Sequence, residues 1–210
     1  MNKFIFSTDL HHYGNHPTTF VDKKTLLAQG HDPKYILTGD IVDRTGCKKK
    51  DVEEATKFMN DLIAVYGDRY VLGNHEGVSF TQSKNYYKIP GTKVLCTHYD
   101  EIMWGYSKAE AFRTQELGAT TLFRWGARAY NSIFRANGYG IKYWDDEDYV
   151  RAKEKCKEYG CTTIIGGHAH PLKTNVVRYD DIAIITLARG QWEIDFDHLL
   201  PWQSFVKQIA

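Results

Sequence analysis

A short apolar run, Tyr35 to Leu37, leads straight into a loop that is dense in charge. The run has the length and composition of a buried strand, and it breaks at Gly39. Three charged side chains then follow within five residues, namely Asp40, Asp43 and Arg44. Acids at the end of a buried strand need cations or hydrogen-bond donors beside them, because an uncompensated buried charge is costly. Taken alone, this segment is equally compatible with an ordinary turn, since Gly-Asp is a common turn pair.

Two further strands in the first half of the chain end in a similar way. Lys3 to Ser7 runs into Asp9 and His11, and Arg69 to Leu72 is followed by the polar loop Gly73–Glu76. Apolar residues at three- and four-residue steps, with glycines as stops, predict helices between these strands. The predicted helices are Thr19–Gly30 and Asp51–Tyr66. Alternating strands and helices predict βαβ units and a parallel sheet, with a functional site at the carboxyl ends of its strands.

The second half of the chain is predicted to add strands that pair partly as hairpins. Tyr86 to Ile89 and Lys93 to Thr97 flank a Pro-Gly turn, and the second of these runs ends at His98. A further apolar run, Thr162 to Ile165, leads into a Gly-Gly-His-Ala-His loop. The other predicted elements are a helix over Asp145–Tyr159, a hairpin of Asn175–Tyr179 and Ile182–Leu187, and a last strand over Gln191–Phe196.

The stretch Trp104–Trp144 differs from the rest of the chain because it is rich in aromatic residues and has no clear strand. Its six basic residues exceed its two acidic residues, which gives a local charge of +4. The basic residues are Lys108, Arg113, Arg124, Arg128, Arg135 and Lys142. We interpret the stretch as one or two helices inserted as a cap for an anionic substrate, or alternatively as a solvated face over a core. With no linker or repeat, we expect a single domain over residues 1–210 with a cap-like insertion at 104–144.

The predicted strand ends supply a set of side chains that commonly bind metal ions. These are Asp9, His11, Asp40, Asn74, His75, His98, His168 and His170. Oxygen and imidazole ligands without thiolates suit manganese, iron or zinc, and so many ligands are too numerous for one ion. One shared carboxylate would make a two-metal site, which can clamp a phosphoryl group and generate hydroxide near neutral pH. The other histidines, His12, His16, His31 and His198, are interpreted as surface residues.

Five sequence blocks together resemble the calcineurin-like metallophosphoesterases. In chain order they are Asp-x-His from Asp9, Gly-Asp-x-x-Asp-Arg from Gly39, Gly-Asn-His-Glu from Gly73, the lone His98, and Gly-His-x-His from Gly167. All five occur in the family's order and span most of the chain. The resemblance implies an α/β fold, specifically a four-layer α/β/β/α sandwich, here with a helical insertion. It also implies a hydrolase that binds two divalent metal ions, for which we take manganese as the first choice and iron or zinc as alternatives.

The resemblance assigns a role to most of these residues. It implies a first metal held by Asp9, His11, Asp40 and His170. It implies a second metal held by Asp40, Asn74, His98 and His168, with Asp40 bridging. His75 would stabilise or protonate the leaving group, oriented by Asp43, and Arg44 would clamp the phosphate. Attack would come in line from a metal-bridging hydroxide. Glu76 completes its block without an assigned role.

Three features depart from the family pattern. The lone His98 is followed by Tyr99 rather than glycine, and Arg44 is followed by Thr45 where the phosphoprotein-phosphatase branch has glycine. That branch also lacks the Gly-His-x-His block. The segment Leu187–Trp192 is similar to the ending of UDP-diacylglucosamine pyrophosphatases, which also carry a helical insertion before Gly-His-x-His.

We therefore expect a dinuclear metal-dependent phosphoesterase that acts on a small phosphate or pyrophosphate ester, including nucleotide conjugates. A phosphoprotein phosphatase and a nuclease or phosphodiesterase are alternatives, and a catalytically silent binding scaffold is the alternative from a different class. The net charge of +1 argues against extensive binding of duplex nucleic acid. Peripheral membrane contact through an exposed aromatic rim is a further alternative, and the residues that would form the rim are Trp104, Phe112, Phe123, Trp125 and Phe134. With no signal peptide or membrane-length apolar run, we expect a cytoplasmic protein.

Overall fold

The computed structural model describes residues 3–14, 21–118, 144–196 and 206–208 of the chain. Its strands are β1 Lys3–Thr8, β2 Tyr35–Thr38, β3 Tyr70–Val71, β4 Tyr86–Lys88, β5 Val94–Thr97, β6 Thr163–Gly166, β7 Asn175–Tyr179, β8 Ile182–Thr186, β9 Gly190–Asp195 and β10 Val206–Gln208. Its α-helices are α1 Lys23–Gln29, α2 Val52–Tyr66, α3 Asp100–Trp104, α4 Tyr106–Arg113 and α5 Asp146–Glu158. Short 3₁₀ turns precede and follow α2, at Lys49–Asp51 and Gly67–Arg69.

The strands form two five-stranded sheets. The first has the order β10-β9-β1-β2-β3, in which β1, β2 and β3 are parallel and β9 and β10 complete one side in antiparallel pairing. The second has the order β4-β5-β6-β8-β7, with a parallel centre of β5, β6 and β8 and an antiparallel strand at each edge. Both predicted hairpins are confirmed as β4–β5 and β7–β8.

Neighbouring residues along the central strands pack into different hydrophobic clusters. Ile36 and Ile165 lie in the cluster between the two sheets. Leu37 lies in the cluster formed with α1 and α2, and Ile164 lies in the cluster formed with α3 and α5. Each sheet is therefore buried on both faces, which explains why its central strands read as continuous apolar runs. The layers are helix, sheet, sheet and helix, so the expected four-layer α/β/β/α sandwich is confirmed.

Two helix starts are set by aspartate caps. The α1 helix begins at Lys23, because Asp22 is extended and its side chain accepts a hydrogen bond from the backbone N–H of Thr25. The expected start at Thr19 is therefore wrong, and Thr19 itself lies outside the described residues. Asp145 caps α5 in the same way, and a reciprocal hydrogen bond between its N–H and Asp148 completes a capping box.

The described start of the expected insertion is helical, in α3 and α4, and one of its arginines is buried. Arg113 is 1% exposed and forms a two-pronged ion pair with Asp100, at 2.7 and 3.0 Å. It also donates to the carbonyl oxygen of Leu72, directly after β3. Arg113 thus fixes α4 to the core. This buried arginine supports neither the cap for an anionic substrate nor the solvated face that the sequence suggested for the stretch. The basic residues that lie outside the described part are Arg124, Arg128, Arg135 and Lys142.

Replacing Arg113 by methionine is expected to destabilise the fold, because it leaves Asp100 buried without its counter-charge. We expect the free energy of unfolding to fall by about 3 kcal/mol, measured by chemical denaturation. The matched control is Arg178→Met, on the exposed side of β7. A second change, Asp100→Leu, should restore part of the loss in the double variant. Equal stability of Arg113→Met and the control would contradict this role.

Candidate metal centre

The loops that follow five strands converge at one edge of the sandwich. Asp9 and His11 follow β1, Asp40 follows β2, Asn74 follows β3, His98 follows β5, and His168 and His170 follow β6. Hydrogen bonds join these loops within one sheet and between the two sheets. Within the first sheet, the N–H of His11 donates to the carbonyl oxygen of Asp40, at 2.9 Å. The N–H of His168 donates to the carboxylate of Asp9, at 3.1 Å. The two sheets thus bring residues that are far apart in sequence into one site.

Two groups of side chains in this site can each direct one ligand atom per residue to a common point. The first ligand group is Asp9, His11, Asp40 and His170, and the second ligand group is Asp40, His98 and His168. Within each group the ligand atoms lie within 4.8 Å of one another. Asp40 belongs to both groups, as expected for a bridging carboxylate. A third group, His11, Asp43 and His75, meets the same distance limit.

The hydrogen bonding of His98 fits a cation beside Asp40. Nδ1 of His98 donates to the carbonyl oxygen of Thr38 at 2.9 Å, which leaves Nε2 as the nitrogen free to bind. That Nε2 lies 3.1 Å from Oδ2 of Asp40, and it forms no hydrogen bond with the described residues. Oδ1 of Asn74 is likewise buried and accepts no hydrogen bond from the described residues. Buried acceptors in this state are compensated by a metal ion or a proton, so the donor set fits the expected divalent cations.

The electrostatics keep the ligand carboxylates charged. Burial acts to raise the pKa values of Asp9 and Asp40, but the neighbouring histidines outweigh it and leave both pKa values below the ordinary range. For Asp9 the main partner is His170, whose Nε2 lies 2.8 Å from Oδ1. Burial lowers the pKa of His11 to about 4, so its imidazole is neutral at physiological pH. Ionised carboxylates and a neutral imidazole are the forms that bind metal ions.

His75 lies at the open side of the site. Its side chain is 34% exposed, and its Nδ1 is 3.0 Å from Oδ1 of Asp43. Its ring meets the ring of His11 edge to face, with centroids 4.6 Å apart. Burial acts to lower the pKa of His75, but the charges of Asp43 and Asp40 outweigh it and raise the pKa to about 9. Asp43 therefore favours an imidazolium at this position and fixes which way the ring faces.

The sequence profile of the family described as calcineurin-like phosphoesterase matches residues 2–172 of the chain. The chain belongs to the calcineurin-like phosphoesterases. An uncharacterised metallophosphoesterase of Campylobacter jejuni is 32% identical over 75 residues, which is 35% of this chain and 19% of the relative. This chain thus matches about a fifth of the relative's length.

Solved structures of low sequence identity are also similar to this calcineurin-like phosphoesterase. One is a conserved protein described as a predicted phosphoesterase from Streptococcus pneumoniae, with a TM-score of 0.41 and 12% identity, covering 92% of this chain and 83% of that one. Another is a cold-active protein-tyrosine phosphatase of a psychrophilic Shewanella, with a TM-score of 0.42 and 14% identity, covering 93% and 76%. A third is vacuolar protein sorting 29 of Cryptosporidium parvum, with a TM-score of 0.41 and 12% identity, covering 92% and 85%.

Arg44 is turned toward the protein. Its side chain is half-buried, and Nη1 donates to the carbonyl oxygen of Glu76 at 3.0 Å and lies 3.6 Å from Sδ of Met59. These contacts join the loop after β2 to the loop after β3 and to α2. The phosphate-clamping role of Arg44 stays a prediction.

Glu76, to which the sequence assigned no role, organises the centre of the site. Its carboxylate is fully buried and accepts hydrogen bonds from five donors. These donors are the backbone N–H groups of Asp40, Ile41, Val42 and Gly73 and the hydroxyl of Tyr70, at 2.7–3.1 Å. The loop that presents Asp40 is therefore built around this carboxylate. The only sequence signal for Glu76 is its place in the Gly-Asn-His-Glu block.

Several ligand candidates have a left-handed backbone, which L-residues other than glycine rarely adopt. These residues are Asp9, His11, Asp40, His168 and His170, with φ between 46 and 70°. The same loops approach so closely that a Cβ at Gly73 would overlap Oδ1 of Asp40, and a Cβ at Gly167 would overlap the carboxylate of Asp9. Strained backbone of this kind persists where the surroundings hold it and concentrates at functional sites.

His12 is a correction to the sequence interpretation. It is buried, with its ring edge to face against Phe58 at 5.7 Å, so the expected surface position is wrong. His31 is exposed as expected, and His16 and His198 lie outside the described residues. His12 pairs with the loop after β2, since its N–H donates to the carbonyl oxygen of Ile41 and its own carbonyl oxygen accepts the N–H of Asp43. Its sequence neighbours did not indicate this burial.

Glu76→Gln is expected to disturb both stability and metal binding. The glutamine amide would turn an N–H₂ group toward backbone N–H donors that now meet an oxygen, so we expect a loss of about 2–4 kcal/mol in the free energy of unfolding. We also expect less bound manganese, measured by plasma mass spectrometry after desalting. Glu53→Gln, on the exposed face of α2, is the matched control. Wild-type stability and wild-type metal content in Glu76→Gln would show that the carboxylate does not shape the site.

Proposed function

We propose that this calcineurin-like phosphoesterase is a hydrolase of phosphate or pyrophosphate esters that holds two divalent cations. The observation that carries the proposal is the pair of ligand groups that share Asp40. Asn74, whose buried Oδ1 accepts no hydrogen bond from the described residues, is the fourth ligand we assign to the second group. The nitrogen and oxygen donors favour manganese, iron or zinc.

Bound at these positions, two divalent cations would polarise the phosphoryl oxygens and lower the pKa of water, so that a nucleophile forms near neutral pH. Side chains of the protein hold the ligand groups in place and supply the proton for the leaving group. Asp40 belongs to both ligand groups, and its Oδ1 accepts a hydrogen bond from the backbone N–H of His75 at 2.8 Å. This hydrogen bond links the ligand groups to the proton donor. His75, with Nδ1 held by Asp43 and Nε2 4.0 Å from Oδ2 of Asp40, would donate its proton to the leaving-group oxygen.

Aromatic side chains beside the second ligand group support a small substrate with a planar group, such as a nucleotide. The ring of Trp104 meets the ring of His168 edge to face, with centroids 4.3 Å apart. Phe112 is 41% exposed and lies 4.6 Å from Trp104, and Nζ of Lys108 lies 5.8 Å from the same indole. Such a group of rings with a lysine can stack a planar ring and attract a phosphate.

The other candidate substrates have less support. The argument for a phosphoprotein substrate depends on the Gly39–Arg44 block, in which Arg44 would bind the phosphate. Nη1 of Arg44 instead donates a hydrogen bond to the carbonyl oxygen of Glu76. Among the described residues, no helix has both the length and the apolar character needed to cross a membrane. For peripheral membrane contact, Phe112 is the exposed aromatic of the rim candidates, while Phe123, Trp125 and Phe134 lie outside the described residues. We therefore place a small phosphate ester first.

The first test is hydrolysis by the purified, manganese-loaded protein of three reporters: an aryl phosphomonoester, a bis-aryl phosphodiester and a UDP-linked pyrophosphate. We expect turnover of one class, which would fix the type of bond that is cleaved. Absence of turnover with all three, together with two bound manganese ions per chain, would favour the catalytically silent scaffold over the hydrolase.

Two variants separate metal binding from proton donation. Asp40→Asn removes the shared carboxylate charge, so we expect both metal ions to be lost along with turnover. His75→Asn should keep both metal ions and lower kcat by roughly 10²–10⁴-fold, because it removes the proton donor alone. Metal content is measured by plasma mass spectrometry beside the kinetics. If the metal content of His75→Asn falls as well, His75 is a ligand and its assigned role is wrong.

A further inference from the structure

Thr45 lies next to the proposed proton donor, His75, and has no role in the proposed function. Its side chain is buried. Its backbone N–H donates to the carbonyl oxygen of His75 at 3.3 Å, and the N–H of Arg44 donates to the same oxygen at 2.9 Å. The backbone of the loop after β2 therefore holds Thr45 beside His75, although the two residues are far apart in the chain.

The methyl and the hydroxyl of Thr45 face different neighbours. The methyl faces the loop after β3, because a Cβ at Gly77 would lie 3.2 Å from Cγ2 of Thr45. The hydroxyl oxygen Oγ1 lies 3.3 Å from Nδ1 of His75 and 3.4 Å from Oδ1 of Asp43. Because a β-branched side chain has few allowed rotamers, packing of the methyl also fixes the direction of the hydroxyl.

The polar atoms of Thr45, His75 and Asp43 form a closed triangle of hydrogen bonds. Nδ1 of His75 lies 3.0 Å from Oδ1 of Asp43, and an ionised carboxylate can only accept, so Nδ1 carries a proton. That N–H faces both Oδ1 and Oγ1 of Thr45, while the hydroxyl of Thr45 donates to Oδ1. The same Oδ1 also accepts the backbone N–H of Gly46 at 2.5 Å. Every donor in the triangle thus has an acceptor.

The triangle holds one side of an imidazole whose other nitrogen faces the ligand groups. Nε2 of His75 lies 4.0 Å from Oδ2 of Asp40. We propose that Thr45 is a positioning residue for His75, whose hydroxyl holds the Nδ1 side of the ring against Asp43 and so keeps Nε2 in place beside the ligand groups. This inference rests on the proposed function. Thr45 acts through His75 and not on the substrate.

Replacing Thr45 by valine keeps the shape of the side chain and removes the hydroxyl. For the reporter that the wild type hydrolyses, we expect kcat to fall about 3- to 10-fold at an almost unchanged KM, as for loss of one neutral hydrogen bond. Thr45→Ser keeps the hydroxyl and should restore most of kcat. The matched control is Thr56→Val, which removes a hydroxyl that donates to the carbonyl oxygen of Val52 within α2, and its kcat should equal that of the wild type.

The effect of Thr45→Val should disappear when His75 is already absent. In a His75→Asn background we expect the added Thr45→Val change to alter kcat by less than about 2-fold, because residues that act as a unit are not additive. An undiminished effect in that background would overturn the proposal, since the hydroxyl would then act on the fold or on the bound metal ions.

Proton NMR of the zinc-loaded protein observes the His75 ring without relying on turnover. The Nδ1–H signal of His75, identified by its loss in His75→Asn, should be sharp in the wild type and in Thr45→Ser. In Thr45→Val it should be broadened by exchange with water. An unchanged signal in Thr45→Val at equal zinc content would overturn the proposal, and so would absence of the signal from the wild type.

The two proposals can fail separately. If the wild type shows the Nδ1–H signal but hydrolyses none of the reporters, the hydrolase proposal fails, while the NMR comparison of Thr45→Val with Thr45→Ser still decides whether the hydroxyl positions the ring. If the reporters are hydrolysed and Thr45→Val matches the wild type in both kcat and the Nδ1–H signal, the positioning role fails and the hydrolase proposal stands.

Discussion

The buried carboxylate of Glu76 is the interaction around which the loops of the candidate metal centre are arranged. A carboxylate without partners would be very costly in this position, and five donors stabilise it. Three of those donors are consecutive backbone N–H groups of the loop after β2, so the carboxylate determines the conformation of that loop. Asp40 can take its left-handed backbone and serve both ligand groups because the segment around it is fixed in this way.

The sequence was a good guide to the sheets and to the loops that meet beside Asp40. Strands such as Ile164–Ile165 are apolar at consecutive positions because they are buried on both faces, and this makes them easy to recognise. Five of the strands are followed by polar residues at their carboxyl ends, namely β1, β2, β3, β5 and β6. The carboxyl ends of parallel strands lie at one edge of a sheet, so the sequence predicts that these residues meet. The start of α1 was less predictable, because Asp22 can cap a helix or lie in its first turn equally well by composition.

What the sequence could not predict depends on contacts between distant segments. Arg113 looked like its basic neighbours, yet it is buried because Asp100 and the carbonyl oxygen of Leu72 happen to surround it. Glu76 and His12 are ordinary polar residues in the sequence, yet both are buried and both are bonded to the loop after β2, which is distant from them in the chain. Residue type limits the chemistry that a side chain can perform, whereas burial and partners determine the role that it has.

The neighbouring rings of His11 and His75 illustrate this principle. Their centroids are 4.6 Å apart, yet the pKa of His11 is lowered to about 4 and that of His75 is raised to about 9. Asp43 lies between them and is closer to Nδ1 of His75, at 3.0 Å, than to Nδ1 of His11, at 3.8 Å. One carboxylate therefore holds a proton on the partly exposed ring, while burial keeps the inner ring neutral. Neighbouring groups whose pKa values are driven apart are suited to different tasks, which supports His11 as a ligand and His75 as the proton donor.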